Sequence, residues 1–187
     1  LSSLGKKARF RSYEDSFVWL NESMIVNTCF NATDPNVGLA LSADHSTQKC
    51  YMADTGLLVT QTFMDKAFTE NGLYRAILFD KLSINEGMIM ENVVAQMLRT
   101  NGHKLYFYSR TDATNRKNDM EIDFLITEGN KICPIEVKSN NYVSHSSLNK
   151  FRDKFSSKIG NSYILYSKDV IVKDGIIHLP IYMAMFL

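Results

Sequence analysis

At 187 residues, 45% of them apolar, the chain is long enough to bury one sizeable core and short enough to be one domain, with or without a small appendage. A net charge of +1 and a pI near 7.9 argue against a strongly basic nucleic-acid-binding domain. The three cysteines, Cys29, Cys50 and Cys133, lack metal-type spacing and read as reduced thiols.

No apolar run is long enough to span a membrane and no signal peptide is visible, so a cytoplasmic protein is expected. No G-x-x-x-x-G-K-[ST] motif is present, which excludes ATP binding through a P-loop in this chain. The opening residue is Leu1 rather than Met, as expected of a piece of a longer protein.

Gly5–Arg11 is a basic lead-in. Ser12 with Asp15 three residues later resembles a capping box and predicts a helix through about Glu22. Asn31–Asn36 is a turn cluster. Leu39–Leu41 and Lys49–Met52 read as strands around a polar loop, Ser42–Gln48, and Asp54 as a helix cap or turn former. Thr60–Leu82 looks helical, with a break near Asn71-Gly72.

Asn85 is expected to cap a helix from Glu86 to about Thr100, stopped by Asn101-Gly102. Its apolar stripe is Ile89, Met90, Val93, Val94, Met97 and Leu98. Gly87, Glu91 and Ala95 share one i, i+4 line, small residues that let a helix approach a sheet closely. Periodicity by itself favours Glu91 as a surface residue at the edge of the stripe.

Lys104–Arg110 alternates as a strand. The polar stretch Thr111–Asp119 is a loop whose Arg110, Arg116 and Lys117 either hold phosphates or are simply solvated.

Gly129-Asn130, between two β-branched runs, predicts a hairpin in which Glu128 faces Lys131. Ile122, Phe124 and Ile126 then face Val137, Ile135 and Cys133 on a wholly apolar side. The other side carries Asp123 opposite Glu136, with Lys138 two residues on. Two carboxylates that close repel unless a proton or a cation lies between them. Either these are solvated charges of an amphipathic hairpin, with Lys138 pairing Asp123, or they form a divalent-metal hydrolytic site. Leu125, Ile132 and Pro134 make this side too apolar for an open solvent face.

Farther on, Ser139–Ser144 is a loop and Ser146–Phe155 a helix with Leu148 and Phe151 inward. His145 reads as a polar loop residue and Ser162–Tyr166 as a buried strand. Asp169–Val172 and Ile176–Leu179 flank a Lys173-Asp174-Gly175 turn, ahead of an apolar tail.

Asp123 followed by Glu136-Val137-Lys138 resembles the D…E-x-K signature of the PD-(D/E)XK superfamily, the restriction-endonuclease-like fold. The stretches E-G-M-I-M-E-N-V-V-A-Q-M-L, Y-F-Y-S-R, E-I-D-F-L-I and P-I-E-V-K-S…S-L-N-K-F are similar to a domain of unknown function. That domain lies C-terminal to the ATPase module in many bacterial and archaeal AAA-type ATPases. The loop before the E-x-D strand departs from the shorter, Gly-containing turn usual in that group.

The resemblance implies an α/β fold with a restriction-endonuclease-like core, its mixed central sheet flanked by helices. Residues 1–48 would be a remnant of a winged-helix-like unit and 49–187 the nuclease-like domain. It further implies Mg²⁺ or Mn²⁺ held by Asp123, Glu136 and the Val137 carbonyl, with Glu91 as a further ligand. Lys138 would orient or deprotonate the attacking water, and Glu91, Asp123, Glu136 and Lys138 would converge on one concave site. The substrate would be DNA, contacted by Arg110, Arg116 and Lys117. The partner would be the chain's own N-terminal AAA-type ATPase module, where alone ATP would bind. A module that binds DNA or protein without cutting, and a structural domain with a relic site, are the other readings.

Overall fold

The structure, a computed structural model, describes residues 12–63, 86–115, 118–139 and 145–187. The basic lead-in, the Asn85 cap, the helix expected beyond Phe63, Arg116, Lys117 and most of the Ser139–Ser144 loop lie outside them.

Among the described residues the chain forms an eight-stranded mixed sheet, in the order β2-β1-β3-β4-β5-β6-β8-β7. The strands are β1 (Val26–Ala32), β2 (Ala43–Met52), β3 (Leu105–Arg110), β4 (Met120–Glu128) and β5 (Lys131–Val137). They continue with β6 (Tyr163–Tyr166), β7 (Ile171–Lys173) and β8 (Ile176–Pro180). Helices α1 (Glu14–Glu22), α2 (Thr55–Phe63), α3 (Glu86–Thr100) and α4 (Ser146–Lys154) accompany it, with a final 3₁₀ turn over Ile181–Phe186. The coarse expectation of an α/β fold with a mixed sheet flanked by helices therefore holds.

Each face of the sheet carries its own core. Val94, Ala95 and Leu98 of α3 pack on Phe107, Phe124, Ile126, Ile135 and Leu165, with Ala184 of the C-terminal turn. On the other face Leu148 and Phe151 of α4 pack on Tyr106, Tyr108, Ile122, Leu125, Ile132 and Ile164. The apolar stripe of α3 is rotated from the expected one. Asn92, Val94, Ala95 and Leu98 are its buried residues, which turns the Gly87-Glu91-Ala95 line toward the sheet.

The β4–β5 hairpin keeps its expected register from Glu128↔Lys131 to Phe124↔Ile135. Gly129 sits at φ 58, the left-handed conformation that the first central residue of a type II′ turn requires. A second hairpin, β7–β8, turns on Asp174 and Gly175, both at positive φ, as a type I′ turn needs.

One part of the hairpin expectation fails. Tyr106 pairs with Leu125 but Tyr108 with Ile122, so β4 carries an extra residue between them. That irregularity reverses the alternation, and Ile122 joins the α4-side core instead of lying beside Phe124. Asp123 is the residue re-aimed by it.

Near the N terminus, Leu39–Ser42 is a 3₁₀ turn rather than a strand. Local side-chain bonds outcompete pairing there: Asn36 Oδ1 accepts the Gly38 N–H, and the Ser42 hydroxyl donates to the Asp34 carbonyl. The expected loop Ser42–Gln48 is mostly strand, because β1, which sequence reasoning did not recognise, supplies its partner. Tyr13, not Ser12, precedes α1, and no side-chain cap bond forms. Asp54 does act as a cap, its Oδ1 accepting the Leu57 N–H at 3.0 Å.

The division expected at residue 48 falls inside β2. Since β1 pairs with both β2 and β3, residues 26–48 are continuous with the main sheet rather than a separate winged-helix-like remnant. Asn92, buried in α3, ties this part down. Its Oδ1 accepts the Met52 N–H at 2.7 Å, while its Nδ2 donates to the Met52 carbonyl and the Thr55 hydroxyl at 3.0 Å. Asn92→Ala orphans both backbone groups and is expected to cost roughly 2–4 kcal/mol in urea denaturation. A cost below about 1 kcal/mol would mean that water replaces the amide without loss.

Candidate functional site

Three of the acids, Glu91, Glu121 and Asp123, meet around Lys49 near the place where β4 and β5 part. Beyond Phe124↔Ile135 the backbone ladder gives way, and the Asp123 side chain takes over, its Oδ2 accepting the Val137 N–H at 2.9 Å. Asp123 is thereby locked against the Glu136-Val137-Lys138 strand, although not as the directly opposed backbone pair of Glu136. Val137 belongs to the α3-side core, so alternation sends Glu136 toward the other side.

Glu91 reaches the same place from α3. Its Oε2 accepts the Tyr51 hydroxyl at 3.2 Å. Lys49 of β2 is the hub. Its Nζ stands 2.8 Å from Glu121 Oε1 and 3.8 Å from both Glu91 Oε2 and Asp123 Oδ1. It also lies 5.2 Å from the centroid of the Phe107 ring. Periodicity by itself favours a surface Glu91; here Ala95 seats α3 on the sheet, and Glu91 points into a shared ion cluster.

On β5, Glu136 is 3% exposed and pairs with Lys138 at 3.2 Å. The contact is an ion pair of poor hydrogen-bond geometry, which leaves the buried Oε2 without a hydrogen bond. Lys138 accordingly serves Glu136, while Lys49, not Lys138, is the near cation of Asp123.

These surroundings move the acids upward. Burial raises Glu91, Asp123 and Glu136 above the usual carboxylate range. Repulsion between Asp123 and Glu136 was the expected cause, but for Glu136 it ranks behind burial and behind the opposing pull of Lys138. For Asp123, the Val137 N–H, Lys49 and Lys138 pull back against burial. Burial also depresses Lys49, but the Glu121 hydrogen bond and the charges of Asp123, Glu91 and Glu121 outweigh it, so Lys49 is raised.

A stability consequence follows with a definite sign. A carboxyl raised in the folded state binds protons there before the unfolded chain does, so its ionisation weakens the fold as pH rises through that window. In metal-free buffer at neutral pH, Asp123→Asn is expected to melt a few degrees above the wild type. The gap should close as pH falls to about 4, the ordinary carboxylate pKa. Thermal melts across this range check it, and an Asp123→Asn variant less stable at neutral pH than at pH 4, relative to wild type, would contradict it.

Arg110, at the end of β3, lines a cavity of about 270 Å³ with Asp112, Asn118, Met120, Lys150 and Lys154. Asp112 organises the adjoining loop. Its carboxylate accepts from Asn118 and Thr114 and from the Thr114 and Asn115 backbone, bonds that hold it well below the usual range.

A family model, "Domain of unknown function (DUF4143)", matches residues 86–184. The chain belongs to the DUF4143 family. A second model, "Domain of unknown function (DUF8612)", matches residues 1–67. No curated protein and no solved structure matches the chain. Glu91, Glu121, Asp123, Glu136 and Lys138 lie within the DUF4143 segment, whereas Lys49 and Tyr51 come from the segment resembling the second model. The ion cluster is assembled across both.

Carboxylate oxygens are the donors that Mg²⁺ and Mn²⁺ favour, and the buried Glu136 Oε2 faces only the Lys138 ammonium, at 3.2 Å. Yet among the described residues no three His, Cys, Asp or Glu groups are arranged to hold a metal ion as they stand. The Lys49 ammonium occupies the contact between Glu91 and Asp123.

Lys49, Glu121 and Tyr51 are what sequence reasoning missed. One signal was available: Lys49 shares a strand face with Tyr51, and a lysine on the apolar side of a strand calls for buried acids.

Proposed function

We propose that this chain is a metal-dependent phosphodiesterase of restriction-endonuclease-like type that acts on DNA. The observation that carries this reading is the bond from the Val137 N–H to Asp123 Oδ2, which fixes an acid against the E-x-K strand. Asp123, Glu136 and the Val137 carbonyl would hold Mg²⁺ or Mn²⁺, with Glu91 alongside. The bound ion supplies charge neutralisation at the phosphate and a more acidic water. The chain's own residues do the rest: Val137 N–H orients the Asp123 carboxylate, burial keeps bulk water from Glu136, and Lys138 orients the attacking water. Arg110, with Lys150 and Lys154 around the adjoining cavity, offers cations to the DNA backbone. Domains of this kind often lie C-terminal to AAA-type ATPases, and such a module is the proposed intracellular partner; ATP binds there and not in this chain.

The direct test is incubation of DNA with the chain, or with a parent carrying the ATPase module, in Mg²⁺ or Mn²⁺. Cleavage that needs the metal supports the reading. DNA that is bound but left uncut with either metal would favour the second one, a non-cleaving DNA- or protein-binding module coupled to the ATPase. The observation on that side is Lys49, whose ion pairs already satisfy three of the acids.

No helix among the described residues is long and apolar enough to cross a membrane.

A further inference from the structure

The two edges of the sheet are unlike. Among the described residues β2 closes one of them with the polar run Asp44–Lys49, which discourages further pairing. β7 closes the other, and there Val170, Ile171 and Val172 stand 53%, 52% and 70% exposed. An apolar strand on an open edge invites another strand. Both of its ends are pinned. The Tyr166 hydroxyl donates to the Asp169 carbonyl where the chain enters β7. Arg152 of α4 donates to the Asp174 and Gly175 carbonyls, at 3.1 and 3.3 Å, where it leaves. The edge is therefore held ready, with little ordering left to do on binding.

The segment Lys168-Asp169-Val170-Ile171-Val172-Lys173-Asp174 is complementary to itself when reversed. Laid antiparallel on a second copy about Ile171, it sets Val170 against Val172, Asp169 against Lys173 and Lys168 against Asp174, twice over. Moving the centre to Val170 or Val172 sets Asp169 or Lys173 against Ile171 and loses the charge pairing. The backbone agrees with the Ile171 centre. The two-residue turn over Asp174 and Gly175 closes on Lys173↔Ile176, so Lys173 and Ile171 use their N–H and C=O groups on β8. Alternation turns those of Val172, and of Val170 before it, to the open side. In the Ile171-centred pairing, Val170 of each copy meets Val172 of the other, and these are the groups able to exchange hydrogen bonds.

We propose that two copies of this chain associate through β7, its strands antiparallel about a two-fold axis at Ile171, so that two sheets join into one. The inference does not depend on the reading of the acid cluster. The strand is short, so the dimer is expected to be weak, with a Kd in roughly the micromolar range.

The test is sedimentation equilibrium of the wild type, Asp169→Lys, Lys173→Asp and the double exchange. Each single substitution sets like charges opposite each other at two places and should raise Kd at least about tenfold. The double exchange restores both pairs and should return Kd to within about threefold of the wild type. Both side chains are exposed, so the variants are expected to fold. A wild type that stays monomeric up to about 1 mM would overturn the proposal. So would single variants that dimerise as well as the wild type, or a double exchange as weak as the singles.

Disulfide trapping reads the register directly, in a Cys50→Ser background that removes the exposed thiol. Ile171→Cys should cross-link to its own copy on mild oxidation, because opposed residues at the axis lie within disulfide reach. Val172→Cys, which faces Val170 instead, should cross-link far less. Equal cross-linking by the two variants would contradict the Ile171 centre.

Discussion

If the chain is the metal-dependent nuclease proposed above, Asp123→Ala is expected to lose metal binding and to lower cleavage by about 10³-fold, whereas Lys138→Ala should keep the metal and lose turnover by about 10²–10⁴-fold. The split follows from where the two side chains act. Asp123 contacts Lys49 through Oδ1 and the Val137 N–H through Oδ2, so it is the acid that ties β4 to the E-x-K strand. Lys138 touches only the Glu136 side of the cluster, at 3.2 Å. Its loss leaves Glu136 buried without its cation, and that acid then takes up a proton more readily. Melting temperatures must therefore accompany the rates. Calorimetry with Mn²⁺ separates the variants, and equal loss of binding in both would show that Lys138 supports the acids rather than the reacting water. A contaminating nuclease would ignore both substitutions.

Phe124→Ala is expected to cost about 3–5 kcal/mol and to lower Tm on the order of 10 °C. Phe124 is fully buried in the α3-side core, and its ring centroid lies 5.4 Å from that of Tyr51. It is also the last residue of β4 paired to β5 before Asp123 leaves the ladder. The cavity left by truncation would therefore open beside the site. Tyr51, freed on that side, would hold Glu91 less firmly, so cleavage should fall further than the loss of folded protein explains. Denaturant midpoints and rates measured well below Tm check both parts. A cost under about 1 kcal/mol would show that the core closes around the gap.

Much of the architecture is local and was therefore legible. The helix over Glu86–Thr100 and the hairpins at Gly129-Asn130 and Asp174-Gly175 depend on period, caps and turn conformation. So do the inward Leu148 and Phe151 of α4. β1 was missed because V-N-T-C-F-N-A alternates weakly, and its pairing to β2 and to distant β3 makes it a strand.

By itself the sequence determined the helix over Glu86–Thr100, the hairpin register near its turn and the placing of Asp123 and Glu136 on the two hairpin strands, because each follows from neighbours within a few residues. Tertiary structure alone decided which way those acids point. An extra residue between Ile122 and Leu125 appears only against β3, and it reverses the alternation on which the hairpin reading relied. The rotation of α3 depends on how closely Ala95 lets it approach the sheet, and that contact brings Glu91 inward. Lys49 joins the cluster from an edge strand with 42 residues between it and Asn92, the side chain that anchors that strand to α3. Charge pairing at that distance leaves no pattern in the chain, since it is set by packing and not by period.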